Sequence, residues 1–418
     1  MRLKKSEIKV LGLSSLGGML EFYDFIIFVF FTEVISSLFF PSSLGSFWAN
    51  MNTYGAFAAG YFARPLGGII MAHFGDKSGR KKMFILSILL MVIPTFALGF
   101  MPTFESIGYA APLLLLLIRI LQGIAIGGEL PGAWVFVCEH SDNKTLGFYM
   151  GAFTSAVIGG ILLGSAVTLG INHIFTQEEI VEYAWRVPFI LGGVFGIISL
   201  FLRRFLEETP VFREIEALQQ TQQFPVKAVL QSFKQSVMHS FLSTWILTGC
   251  VVIIVLLSPK LLSQVFGISA IDRVLYQMVA ICCLAFGNVV AGILNDRLGV
   301  KRASAVFGVG LFVFAFCFYN ALRVDYSLEI VLLLYYAMAL CAGLTVFTPI
   351  IMVQSFPAPI RYSGLSFAYN ISYAIFGGLT PIFFGWASES GNVLMIGYYM
   401  MFLGVLAMVI GRVHKSRF

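Results

Sequence analysis

Apolar runs of membrane-crossing length, separated by short polar breaks, recur from Leu11 almost to the C-terminus. A helix needs about 20 apolar residues to cross roughly 30 Å of hydrocarbon. Twelve stretches meet that requirement: 11–40, 47–74, 83–101, 109–138, 145–174, 185–205, 238–262, 273–295, 303–322, 327–355, 361–388 and 391–412. None shows the alternating ten-residue pattern of a membrane barrel, so helices, which satisfy their own backbone in lipid, are the expected elements. The basic-then-apolar N-terminus also has the shape of a signal peptide. Glu21 and Asp24 interrupt its apolar run and no cleavage site follows, so it reads as an uncleaved first helix.

Only one long polar stretch breaks the pattern, "LEETPVFREIEALQQTQQFPVKAVLQSFKQS" at 206–236. It reads as a linker with a short amphipathic helix, and it divides the chain six and six: an N-terminal bundle over 1–205, the linker over 206–237 and a C-terminal bundle over 238–418. The halves also repeat a charged loop. "FGDKSGRKKMF" (74–84) follows the second span and "GILNDRLGVKR" (292–302) ends the eighth, which is the second of its half. An acid, a turn glycine and a basic cluster at matching corners indicate a parallel repeat about an axis normal to the membrane, an architecture of transporters.

Composition sharpens this. With 58% hydrophobic and 11% charged residues and a mean hydropathy of +0.88, the chain is no soluble domain. Most lysines and arginines fall in alternate loops, which places both termini in the cytoplasm by the positive-inside rule. The net charge of +6 follows from that sidedness; dispersed bases form no nucleic-acid stripe. The six cysteines lie in apolar runs without metal spacing, and no HExxH, Gly-x-Ser-x-Gly or phosphate-cradling loop occurs. The expectation is therefore neither an enzyme nor a cofactor or metal protein, but an all-α membrane protein that works as a monomer.

"D-x-x-G-R-K-K" after the second span, echoed after the eighth, resembles the signature loop of the major facilitator superfamily. "LEFYDF" (20–25), "ARPLGG" (63–68), "HFGDKSGRKK" (73–82), "RILQGIAIGGE" (119–129), "WRVPF" (185–189), "RRFLEETPVF" (203–212) and "FPAPIRYSG" (356–364) together resemble the metabolite:proton symporter family. That resemblance implies a twelve-helix, two-bundle, alternating-access carrier of osmolyte zwitterions such as proline and betaine, or of organic acids. It assigns Asp76, Gly79 and Arg80 to a latch between the bundles that favours the outward-open state, with Asp296 and Arg297 at the matching place in the repeat. Glu139 reads equally as a member of this network or as a solvated helix end. The sequence departs from the pattern at Ala72, where a glycine is usual, and at Gln354, where an acid is expected.

Acids inside a bilayer are expensive and mark candidate functional sites. Glu21 and Asp24, three apart, share one face of the first span. At about 1.5 Å per residue, Arg119 of the fourth span reaches the depth of Asp24, so the two can pair, and a substrate carboxylate that captures Arg119 would free Asp24 to take a proton. In the related sugar:proton porters an aspartate and an arginine hold matching places, which implies the same coupling role. By the same counting Arg64 meets Glu129 near the cytoplasmic mouth. Glu33 reads as an interfacial acid. Tyr23, Gln122, Trp245, Asn288, Tyr369, Asn370 and Tyr373 are the candidate pocket residues, with Arg119 for a carboxylate and any aromatic wall for an ammonium. Stripes of small residues, Gly55/Ala59/Ala63/Gly67 and Gly147/Gly151/Ser155/Gly159, are expected to let helices approach closely. The fifth span lacks the Gly-Pro pair of drug:proton antiporters, so import of a small polar solute with protons across a bacterial-type inner membrane is preferred to export. A transporter-like sensor is the reading from another class.

Overall fold

The computed structural model describes residues 5–41, 43, 45–219, 222, 224–324 and 326–416. Long helices follow one another as α1 (Lys5–Phe30), α2 (Gly45–Ser78), α3 (Arg80–Phe100), α4 (Ala110–His140), α5 (Leu146–Ile174) and α6 (Arg186–Arg203). After two short linker helices, Pro210–Ala217 and Pro225–Ser232, come α7 (Lys234–Phe266), α8 (Ala270–Leu298), α9 (Val300–Ala321), α10 (Leu328–Ser355), α11 (Arg361–Glu389) and α12 (Leu394–Val413). Eleven of these are long and apolar enough to cross a membrane. The twelfth, α2, has the length at 34 residues but is diluted by Arg64, Pro65 and a run of small residues. The expected first span to residue 40 is in fact two pieces, because the helix ends at Phe30 and restarts over Thr32–Phe39.

Two helices are irregular where proline demands it. A proline lacks the N–H that would bond the carbonyl four residues earlier. Pro259 follows a π-helical stretch, Val252–Leu257, and the carbonyl it leaves free, that of Val255, accepts Gln277 Nε2 at 2.8 Å, while Ile254 O accepts Tyr335 Oη at 2.6 Å. Pro349 follows a 3-10 stretch, Ala342–Val346, in α10. In lipid such freed carbonyls need a protein partner, and neighbouring side chains supply it.

Glycine decides which helices touch most closely. Gly60 and Gly67 of α2 lie against backbone carbonyls of α4, and Gly123 and Gly127 of α4 lie against α2 in return. The contact stripe of α2 is thus shifted from the expected one: Gly55 faces open space. On α5 the expected stripe does meet a neighbour. Gly147 and Gly151 abut Gly292 and Asn288 of α8, and Ser155 Oγ donates to Ala285 O at 2.6 Å, whereas Gly159 lies only loosely against Met19. The α5–α8 and α2–α11 crossings join the two six-helix bundles.

Candidate functional site

At the end bearing the charged loops, the bundles are tied by a closed set of polar contacts. Asp76 accepts the backbone N–H of Ser363, in the first turn of α11, at 2.8 Å, and pairs with Arg80 at 3.2 Å. Arg80 donates to Ala358 O at 2.7 Å and lies 3.4 Å from Glu139, which also holds Arg361 at 3.1 Å. Across the pseudo-symmetry axis Asp296 accepts Gly147 and Phe148 N–H, the first turn of α5, at 2.6 and 2.8 Å. Each loop aspartate therefore faces the positive end of a helix in the opposite bundle. Gly79 and Gly299 turn the chain at φ 112° and 77°, where a side chain is strained. Arg297 does not copy Arg80: it is exposed at the loop end. The linker joins in unexpectedly, since Glu208 accepts the N–H groups of Arg80 and Lys81 and Thr209 Oγ1 donates to Glu139 at 2.7 Å.

Deeper in the same contact zone Asn370 of α11 donates to Gly127 O of α4 at 2.7 Å, and Tyr362 Oη donates to Gly128 O at 2.6 Å. Gly127 O is the carbonyl that Pro131 strips of its helical partner. A proline in one bundle thereby creates an acceptor for the other.

Inside the N-terminal bundle the expected ion pairs are not formed. Asp24 is 1% exposed, and neither of its carboxyl oxygens has a hydrogen-bond partner. It packs against Gly192 of α6, beside the Thr95 methyl, where a Cβ on Gly192 would collide with it. Arg119 instead donates to Gln122 Oε1 at 2.7 Å and lies over the Phe28 ring at 4.1 Å. Gln122 passes the chain on to Thr95 Oγ1 at 2.8 Å. Glu129 takes Arg203 at 2.5 Å and Ser87, not Arg64. Arg64 instead faces Tyr373. The side chain of Glu21 lies outside the described residues.

Between the bundles lies a small cavity of about 30 Å³. Its wall comes from α1 (Phe22), α4 (Leu130, Trp134), α5 (Thr154, Val157, Ile158), α7 (Leu247, Val251), α10 (Thr345) and α11 (Tyr369, Tyr373). It is almost wholly apolar, but Trp134 Nε1 and Thr154 Oγ1 are buried there without a partner. Of the expected pocket residues only Tyr369 and Tyr373 line it. Tyr23 Oη donates to Pro188 O at 2.9 Å within the N-terminal bundle. Trp245 stacks on Phe376 at 4.1 Å and donates to Tyr399 at 2.6 Å inside the C-terminal bundle. Asn288 is engaged with Leu284 O and Thr345 Oγ1 at the α8–α10 contact. In the sequence Trp134 and Thr154 read as filler, an aromatic and a threonine in apolar runs; only the missing partner distinguishes them. At the end opposite the loops a wider cleft of about 520 Å³, rimmed by Glu33, Asn172, Gln177 and Arg273, separates the bundles.

Comparison with known proteins agrees with this architecture. Residues 16–381 match the model of the Major Facilitator Superfamily. The glycine betaine/proline/ectoine/pipecolic acid transporter OusA of Dickeya dadantii is 32% identical over 98% of this chain and 83% of its own. The proline/betaine transporter of Escherichia coli K12 is likewise 32% identical, over 98% and 83%. Among solved structures, the proton:xylose symporter XylE bound to 6-bromo-6-deoxy-D-glucose superposes with a TM-score of 0.80 at 17% identity, covering 97% of this chain and 94% of that one. The human organic anion transporter MFSD10 gives 0.70 at 14% identity, over 98% and 100%. The chain is a multi-pass transporter of the Major Facilitator Superfamily, in the metabolite:proton symporter family that its motifs resemble.

Proposed function

We propose that this protein imports a small zwitterion, an amino acid or betaine-type osmolyte, together with protons by alternating access. The observation that carries the reading is the central cavity with its two unpartnered donors. A buried N–H or O–H without an acceptor costs about 1–3 kcal/mol, and a carboxylate seated between Trp134 and Thr154 relieves both. The aromatic faces of Tyr369 and Tyr373 suit the cationic end of the same molecule. Relatives named for proline, betaine, ectoine and pipecolic acid share that pairing of carboxylate and cationic nitrogen.

The closed, base-rich loop end is assigned to the cytoplasm by charge sidedness, which makes this conformation closed inward, with the wider cleft facing out. Asp24 is the proton site. Burying an unpaired carboxylate costs several kcal/mol, so this geometry fits a protonated Asp24. The role first given to a direct Asp24–Arg119 pair passes to the chain Arg119–Gln122–Thr95, which ends beside Asp24. Movement of Arg119 during transport reaches Asp24 through Gln122 and Thr95.

Reconstitution into proteoliposomes tests this. Under an imposed pH gradient, alkaline inside, labelled proline or glycine betaine accumulates, and a protonophore abolishes the accumulation. Binding of either solute without any uptake would favour the sensor reading instead.

A further inference from the structure

Arg64 is 1% exposed, yet no carboxylate pairs with it among the described residues. Its guanidinium lies 4.0 Å from the ring centre of Tyr373, 5.5 Å from that of Tyr369 and 5.7 Å from that of Tyr61, and its Nη2 donates to Tyr369 Oη at 3.3 Å. All three distances fall within the roughly 6 Å reach of a cation–π contact. Tyr61 stands one turn before Arg64 on α2. Tyr369 and Tyr373 stand one turn apart on α11, in the other bundle. The cage therefore exists only while the bundles meet, and two of its rings also wall the central cavity.

A buried cation with no anion is an unfavourable arrangement that ring faces offset only in part. A cage of this composition accepts other soft cations, quaternary ammonium among them. We propose that the Tyr61/Tyr369/Tyr373 cage is the site for the cationic head of the transported zwitterion, and that Arg64 is a built-in occupant with which the ligand exchanges. The ligand's ammonium takes the faces of Tyr369 and Tyr373, and its carboxylate, seated against Trp134 and Thr154 in the same cavity, receives the guanidinium as its counter-charge. This rests on the reading of the protein as a zwitterion carrier and adds a selectivity rule to it: the exchange needs both charges on one molecule. Choline brings no anion for the displaced Arg64. The anion 3,3-dimethylbutyrate has the shape of glycine betaine but brings no cation.

Binding of these three probes to the purified full chain, by thermal shift or calorimetry, tests the exchange. Glycine betaine binds the wild type, and choline and 3,3-dimethylbutyrate bind at least about tenfold more weakly. In Arg64→Gln the resident cation is gone, so betaine weakens by about tenfold while choline binds more tightly than to the wild type. Choline matching betaine on the wild type, or Arg64→Gln weakening both alike, overturns the proposal. A second pair guards against misfolding: Tyr373→Phe keeps the ring face and the betaine affinity, whereas Tyr373→Leu loses about tenfold. Equal loss in both also overturns it. Uptake of betaine with these selectivities absent sinks the exchange alone, whereas failure to accumulate any zwitterion sinks the broader reading.

Discussion

The Asp296 carboxylate accepts the Gly147 backbone N–H from the opposite bundle at 2.6 Å, and Asp76 accepts that of Ser363 at 2.8 Å. The two aspartates hold equivalent places in the repeat, so each carboxylate stabilises the first turn of a helix that must swing away when the loop end opens. A charge at a helix N-terminus is worth about 0.3–1 kcal/mol when exposed and up to about 2 kcal/mol when partly buried. Asp76→Asn and Asp296→Asn are each expected to shift the population toward the loop-end-open state by a few-fold, and the double variant by roughly the product of the two. Distances between spin labels on the α2–α3 and α10–α11 loops would report this. No change in their distribution for either single variant would remove the latch.

Asn370 makes a second tie of different chemistry. It satisfies Gly127 O, which Pro131 has released from the α4 ladder. Asn370→Ala removes the shorter of the two bonds that Gly127 O accepts from α11 and leaves only Ser366 Oγ at 3.3 Å, at a cost of about 0.5–1.5 kcal/mol confined to the closed state. Pro131→Ala restores the helical partner and should relieve part of that cost, so the double variant is expected to recover some of the lost closed population. The same label distances decide it, and independent effects of the two substitutions would sever the proposed link.

These ties also show what a sequence can and cannot display. The span pattern was legible because hydrophobic length is a one-dimensional property, and the two loop aspartates because the repeat prints them twice. Depth along a helix was also countable, but azimuth was not. Counting therefore matches Arg64 to Glu129, although Arg64 lies among three tyrosines and the partner of Glu129 is Arg203. Arg119 turns to Gln122, and Gln122 to Thr95, so Asp24 is left without the expected arginine. Trp134 and Thr154 carry no sequence signal at all, because their interest lies in a partner that is missing.

The departure at Gln354 has a physical counterpart. His414, just past α12, places Nε2 3.1 Å from Gln354 Oε1, so the neutral ring donates there, while its Nδ1 is buried with no partner. Burial, with His239 nearby, pushes the His414 ring down to about 4. Its ordinary value is near 6.5. The folded value is the depressed one, so the stability from the neutral ring is full above about 6.5 and is lost as pH falls toward about 4. His414→Gln should flatten this part of the acid limb, and the melting temperature of the variant should fall less between pH 7 and pH 5 than that of the wild type. Parallel acid limbs would show that His414 does not contribute.

Gly192 offers the sharpest test of the proton site, because it touches Asp24 without being able to titrate. A methyl at this position would strike the Asp24 carboxyl and crowd the Thr95 side chain. Asp24→Asn keeps the shape but cannot exchange a proton; it should abolish proton-driven accumulation while exchange of labelled for unlabelled solute persists. Gly192→Ala keeps the acid but displaces it from Thr95, so it should weaken accumulation by about tenfold, equivalent to some 1.4 kcal/mol, and shift its pH dependence while leaving exchange within about twofold. If Gly192→Ala lowers exchange and accumulation together with an unmoved pH profile, the contact is packing alone, and if Asp24→Asn still accumulates solute against a gradient, the proton is carried elsewhere.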